Sequence, residues 1–243
     1  MLLSLLSISQ LKTAIINCIP DFRGGRKISE TMGLPEEKKV EFPGPAGILQ
    51  GRLSNEKSGD RGALIVIHPH PLYGGSMDNN VVEAAVRAGQ ACDLITLRFN
   101  LRGVGGSQGN YDEGIGEQDD IGAALDFLRQ RFSPRTMSLV GYSFGAYVAL
   151  TYCHRQNHGV DSLFLISPPL FLLPDNLSLD LPVVKKIVLG ENDEIALAEE
   201  VKSRIPMKRA EGLIQVIPGA DHFFCGKEGE IEKLLVTELG GSS

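Results

Sequence analysis

Met137-Ser138-Leu139-Val140-Gly141-Tyr142-Ser143-Phe144-Gly145-Ala146-Tyr147-Val148-Ala149-Leu150 passes from one apolar run, through a glycine-flanked turn, into a second. The first half reads as a buried strand and the second as a helix, with Ser143 in the bend between them. Gly141-Tyr142-Ser143-Phe144-Gly145 fits G-x-S-x-G, in which small residues on either side of a serine let strand and helix close tightly around a strained turn. Such a turn lifts the serine Oγ off the sheet edge. It also sets the serine at a helix start, where unpaired backbone N–H groups and the helix dipole favour developing negative charge. Five residues alone are a weak signal in a chain with 28 glycines, so the surrounding sequence decides their meaning.

Upstream, Leu64-Ile65-Val66-Ile67 is a continuous apolar run of the kind a parallel strand shows when both its faces are covered. It ends in the proline-rich loop His68-Pro69-His70-Pro71-Leu72-Tyr73-Gly74-Gly75. A helix is predicted over Asn79–Gln90 and a strand over Leu94–Phe99, followed by the glycine-rich Asn100 to Ser107. An amphipathic helix over Glu117–Arg131 leads into the Ser143 strand. Before all of these, Lys39–Phe42 and Ile48–Leu53 flank Pro43-Gly44-Pro45-Ala46-Gly47 and read as an edge hairpin. Downstream, the pattern predicts a helix to Arg155, strands over Ser162–Ile166 and Lys185–Leu189, a helix over Ala196–Arg204, a strand over Leu213–Ile217 and a helix over Glu228–Leu239. Alternation of this kind implies an α/β architecture with a mostly parallel central sheet and helices on both faces. Sites in such sheets lie beyond the carboxyl ends of the strands.

The bulk numbers set limits on function. A chain of 243 residues with 42% apolar residues buries a sizeable core as one domain. The formal charge of −6 argues against a nucleic-acid surface and gives no support to a polybasic membrane anchor. Cys18, Cys92, Cys153 and Cys225 are widely spaced, which predicts free thiols in a reducing, cytoplasmic setting and no zinc site. Met1 to Leu6 is apolar but lacks the basic flank and cleavage site of a signal peptide. The folded pattern begins after Met32, so residues 1–31 are expected to be a disordered or untranslated extension and residues 32–243 the domain. Gly103-Val104-Gly105-Gly106-Ser107-Gln108 misses the dinucleotide fingerprint at its last position, and no nucleotide or other cofactor is expected. His68-Pro69-His70 resembles a short metal pair but has no third and fourth ligand at suitable spacing, so no metal site is expected.

A serine hydroxyl is a poor nucleophile unless a base takes its proton and a carboxylate orients that base. Two strand-end loops offer these groups: Gly190-Glu191-Asn192-Asp193-Glu194 and Pro218-Gly219-Ala220-Asp221-His222-Phe223-Phe224. The chain order Ser143, Asp193, His222 places each member after a different strand. Glu191 and Glu194 are rivals of Asp193, and Asp221 is disfavoured because adjacent side chains diverge. Arg98 and Arg102 read as buried ion-pair partners of Asp78, Asp112, Glu113 or Asp119, bracing the glycine-rich loop, with an anion-binding role as the alternative.

His68 to Asn80, Arg98 to Gly105, Gly141 to Ala149 and Pro218 to Phe224 resemble the small, capless α/β-hydrolases related to dienelactone hydrolases and serine esterases. The resemblance covers Lys39 to the C-terminus and implies the α/β-hydrolase fold, without a lid domain because Ser167 to Pro182 is too short for one. It implies Ser143 as nucleophile, His222 as base, Asp193 as orienting acid and Phe144 N–H as one oxyanion donor. Dienelactone hydrolases carry a cysteine nucleophile, so their substrate does not transfer. The second oxyanion donor is expected from His70 or Leu72, since Pro69 and Pro71 have no N–H. Tyr73, Tyr142, Pro169, Leu170 and Phe171 are the expected pocket residues. The resulting expectation is hydrolysis of a small-molecule carboxylic ester through an acyl-enzyme. A thioesterase or small-amide hydrolase uses the same machinery, and a non-catalytic ligand-binding protein of the same fold is the alternative from another class.

Overall fold

A turn at Pro45-Ala46 folds Lys38–Gly44 (β1) back on Gly47–Ser54 (β2), pairing Lys38 with Leu53 at one end and Gly44 with Gly47 at the other. The computed structural model describes residues 36–56, 62–155, 158–174 and 176–241, and the expected extension over residues 1–31 lies outside them. β2 runs antiparallel to Ile95–Phe99 (β4), and every further pairing is parallel. With Ala63–Ile67 (β3), Met137–Tyr142 (β5), Ser162–Ile166 (β6), Val184–Gly190 (β7) and Ile214–Ile217 (β8), the described residues form one sheet in the order β1-β2-β4-β3-β5-β6-β7-β8.

The fully buried runs Ala63–Ile67, Ile95–Phe99 and Met137–Tyr142 form the middle of the sheet, as expected for strands covered on both faces. Helices Asn80–Ala91 (α1) and Glu228–Gly240 (α6) cover one face, burying Val81, Val82, Ala85 and Ile231 against Val66, Val140, Tyr142 and Val188. Helices Gly116–Phe132 (α2) and Phe144–Cys153 (α3) cover the other, with Ile121, Leu125, Leu128 and Leu150 on Ile65, Leu139 and Leu165. Asn79 caps α1, its side chain accepting the Val81 N–H at 3.0 Å. In α3 the residues from Phe144 to Leu150 are buried except Tyr147, so apolar burial rather than a polar face holds it in place.

The helix expected over Ala196–Arg204 is shorter, Ala198–Ser203 (α4), and Met207–Leu213 (α5) follows it. Pro206 separates the two and caps the second, whose Met, Lys, Arg, Ala and Glu are good helix formers. The last strand therefore begins at Ile214. No helix among the described residues is long and apolar enough to cross a membrane.

Sheet order divides the site. β4 and β3 lie on one side of β5, while β6, β7 and β8 lie on the other. Ile67 pairs with Gly141, Tyr142 with Ile166, and Gly190 with Ile217, so the loops after these strands all emerge at one edge.

Candidate active site

Ser143 sits between β5 and α3 with φ 53° and ψ −117°, a conformation that costs an L-residue about 1–3 kcal/mol and persists only when its surroundings impose it. The surroundings are backbone atoms. A Cβ on Gly141 would lie 2.4 Å from the Gly145 carbonyl oxygen, and one on Gly145 would lie 2.4 Å from the Ile67 oxygen. Strand end and helix start therefore approach more closely than any other residue type permits. The Ser143 N–H donates to Ile166 O at 2.8 Å, tying the turn to β6.

His222, on the loop after β8, places Nε2 2.9 Å from Ser143 Oγ. Its Nδ1 lies 3.0 and 2.9 Å from the two carboxylate oxygens of Asp193, on the loop after β7. With the Nδ1–H given to the carboxylate, Nε2 is the acceptor that faces the serine hydroxyl. All three residues are buried, Ser143 being the most accessible at 9%. Asp193 Oδ1 also accepts the N–H groups of Ile195 and Ala196 at 2.9 and 2.8 Å. Burial works against its charge, but the hydrogen bond and charge of His222, with the Ala196 N–H, hold its carboxyl below the ordinary range.

The rival carboxylates are spent elsewhere. Glu191 Oε2 accepts the Gly219 N–H at 2.8 Å, Glu194 is exposed, and Asp221 Oδ1 accepts the N–H groups of Phe223 and Phe224 at 2.9 and 3.0 Å. The His222 loop is held from two layers. Tyr142 Oη donates to His222 O at 2.7 Å, and Asn80 Nδ2 donates to Phe223 O at 3.1 Å.

Phe144 N–H opens α3, where the first turn leaves backbone donors without intrahelical partners. In the loop after β3, Leu72 N–H donates to His70 Nδ1 at 3.2 Å, while His70 N–H carries no hydrogen bond among the described residues. His68 is structural in its contacts: its Nδ1 donates to Pro69 O at 2.6 Å and its Nε2 accepts Leu101 N–H at 3.1 Å, joining the ends of β3 and β4. Burial pulls its pKa down to about 4.

The expected pocket set is partly reassigned. Tyr142 is 2% exposed and belongs to the layer between the sheet and helices α1 and α6, not to a pocket wall. Side chains alternate along a strand, and Tyr142 shares its face with Val140. Pro169 and Leu170 are buried, whereas Phe171 is 71% exposed. Leu170 and Phe171, with Leu173, Glu200, Ser203 and Arg204, line a depression of about 360 Å³ that includes no residue of the Ser143 cluster. Tyr73 does approach the site, its ring 4.6 Å from that of His70. Two aromatic neighbours escaped the sequence reading: Tyr111, 5.7 Å from the Phe144 ring, and Tyr147, 5.9 Å from it. Tyr147 lies one helical turn after Ser143, a spacing that signals a shared helix face; nothing local signals Tyr111.

Ion pairs brace the loops behind the site. Arg98 donates to both oxygens of Glu37 at 2.9 and 2.6 Å and pairs with Asp78 and Glu83 at 3.1 and 3.2 Å. Arg102 chelates the fully buried Asp120, with Asp112 at 4.0 Å. Of the expected partners Asp78 and Asp112 are present, while Asp119 pairs with Arg155 at 2.6 Å.

Comparison with known proteins agrees with this architecture. The sequence pattern described as the alpha/beta hydrolase fold matches residues 65–206. An uncharacterized protein of Rickettsia prowazekii is 38% identical over 213 residues, covering 81% of this chain and 86% of that protein. A solved α/β serine hydrolase homologue from Coxiella burnetii is 34% identical with a TM-score of 0.71, covering 86% of this chain and 99% of its own. A protein of unknown function from Agrobacterium tumefaciens is 31% identical with a TM-score of 0.74, covering 84% and 98%. A serine hydrolase without lid from Xanthomonas campestris is 29% identical with a TM-score of 0.72, covering 86% and 96%.

Proposed function

The chain belongs to the α/β-hydrolase fold family, and from that premise we propose that it is a serine hydrolase cleaving carboxylic esters through an acyl-enzyme. The observation that carries the proposal is the continuous contact from Asp193 through His222 to Ser143, at 2.9 Å for each shorter link. In this reading His222 Nε2 takes the hydroxyl proton as Ser143 Oγ attacks the carbonyl carbon. Asp193 keeps Nδ1 protonated and stabilises the imidazolium that forms. Negative charge gathers on the carbonyl oxygen, where Phe144 N–H and His70 N–H supply the hydrogen bonds; Leu72 N–H is engaged by the His70 ring. The imidazolium returns its proton to the departing alcohol, and water activated by the same base releases the acid.

The wide spacing of the four cysteines in the sequence supports a cytoplasmic setting.

A fluorophosphonate probe and short- and medium-chain nitrophenyl esters test the proposal on the wild type and on Ser143→Ala. Labelling and turnover are expected in the first and lost in the second. Turnover that survives the substitution refutes Ser143 as the nucleophile, and silence in both proteins refutes the ester-hydrolase reading.

A further inference from the structure

Aromatic rings crowd one side of Ser143. The His70 ring lies 4.8 Å from Phe144, 5.2 Å from Tyr111 and 4.6 Å from Tyr73, and Tyr147 adjoins Phe144. This is the side of β3 and β4, away from Asp193 and His222 on the loops after β7 and β8. The leaving group must depart next to His222 Nε2, which protonates it, so the acyl group is the part of a substrate that faces the aromatic cluster.

The hydrogen bonds here have a fixed direction. His70 Nδ1 accepts Leu72 N–H and therefore carries no proton, so the neutral ring holds its hydrogen on Nε2. Tyr111 Oη lies 3.2 Å from that nitrogen and accepts from it. Its own O–H is left without an acceptor among the described residues. Tyr111 is also held in place. The fully buried Glu117 accepts the N–H groups of Asp112 and Gly114 at 2.7 and 2.9 Å, and Gln118 Nε2 donates to Gly114 O at 2.7 Å. A buried carboxylate committed to two backbone donors fixes the loop that presents the tyrosine.

Charge narrows the ligand further. The carboxylates of Glu117 and Glu113 act on both Tyr111 and Tyr147, and the nearby arginines, Arg98 in β4 and Arg102 in the loop after it, are saturated by Glu37 and Asp120. Among the described residues, an anionic acyl group finds no unpaired arginine on these neighbouring elements.

Taking the ester-hydrolase reading as its basis, we propose that Tyr111 is a specificity-determining residue whose hydroxyl donates to an oxygen carried by a neutral, aromatic acyl group seated against the half-buried rings of Tyr73 and Tyr147. The substrate class is thus an ester of an oxygen-bearing aromatic acid.

The test compares 4-nitrophenyl 3-phenylpropanoate with its 2-, 3- and 4-methoxyphenyl analogues, as ratios of kcat/KM, in wild type and Tyr111→Phe. At least one methoxy analogue is expected to exceed the parent by about fivefold in the wild type, the size of one neutral hydrogen bond, and that preference disappears in Tyr111→Phe. A wild-type ratio of one for every analogue overturns the proposal. So does a ratio that survives the substitution, including the case in which all esters slow equally, because that loss belongs to positioning of the His70 loop. Binding of the corresponding neutral amides, measured in Ser143→Ala with and without Tyr111→Phe, gives the same ratio without turnover. A preference in amide binding with no ester hydrolysis and no fluorophosphonate labelling refutes the ester-hydrolase reading while retaining the Tyr111 contact.

Discussion

Acid is expected to unfold this protein through His68. The imidazole is fully buried, and its Nε2 can bind a proton only by surrendering the Leu101 N–H and placing a charge where no water reaches. Burial, with a smaller effect from His70 and against the Pro69 hydrogen bond, lowers its pKa from 6.5 to about 4. The unfolded chain therefore binds a proton at pH values where the folded protein does not. His68's contribution is whole above pH 6.5 and is lost as pH falls towards 4, a change on the order of 3 kcal/mol over the window. His70 shifts in the same direction by burial, with a smaller energetic share because it is partly exposed. Urea unfolding at stepped pH between about 7 and 4 measures the effect, with His68→Gln as the control. The carboxylates titrate alike in both proteins, so the difference between the two curves isolates His68. The wild type is expected to lose roughly 3 kcal/mol more than the variant across the window. Parallel curves refute the reasoning, since they mean that the buried imidazole is protonated as easily in the folded state as in the unfolded one.

Tyr142→Phe removes the donor to His222 O and leaves a buried carbonyl unpaired, at a cost of roughly 1–3 kcal/mol. A thermal melt is expected to fall accordingly, with slower fluorophosphonate labelling; unchanged values in both assays contradict the anchoring role. Gly145→Ala puts a methyl 2.4 Å from Ile67 O and 2.6 Å from His68 O. Because those atoms are backbone, roughly 1–3 kcal/mol of overpacking is expected, together with loss of labelling at Ser143. Asp120→Ala strands the Arg102 guanidinium, which is 10% exposed, and is expected to cost roughly 3–5 kcal/mol by chemical denaturation. The double variant Arg102→Met with Asp120→Leu is expected to recover most of that loss.

The parallel strands were legible because strands covered on both faces must be continuously apolar, and Leu64-Ile65-Val66-Ile67 and Ser162 to Ile166 have no competing reading. The grouping of Ser143, Asp193 and His222 was legible for a topological reason: three loops leaving one edge of one sheet must converge. Tyr142 was misassigned to the pocket although strand alternation, applied to Val140, already sends its side chain to the opposite layer. The partner of Arg102 was harder. Neighbours on a helix point about 100° apart, so choosing Asp120 over Asp119 needs the phase of α2, and the spacing of Asp120 with Ala124 and Leu128 puts it on the buried face. Glu37 and Tyr111 lie 61 and 41 positions from the residues they touch, Arg98 and His70. No local pattern encodes such a meeting. The second helix after Asp193 was missed because Pro206 reads as a terminator, although proline equally opens a helix.

The two anchors on the His222 loop have a mechanical consequence. One carbonyl is held from within the sheet layer by Tyr142 and the next from the start of a helix by Asn80. A segment gripped at one point can still pivot about it, whereas one gripped at two adjacent points in different planes is fixed in orientation as well as in place. The freedom left to the His222 ring therefore resides in libration of the imidazole about its own χ angles. The backbone beneath it serves as a stationary mount.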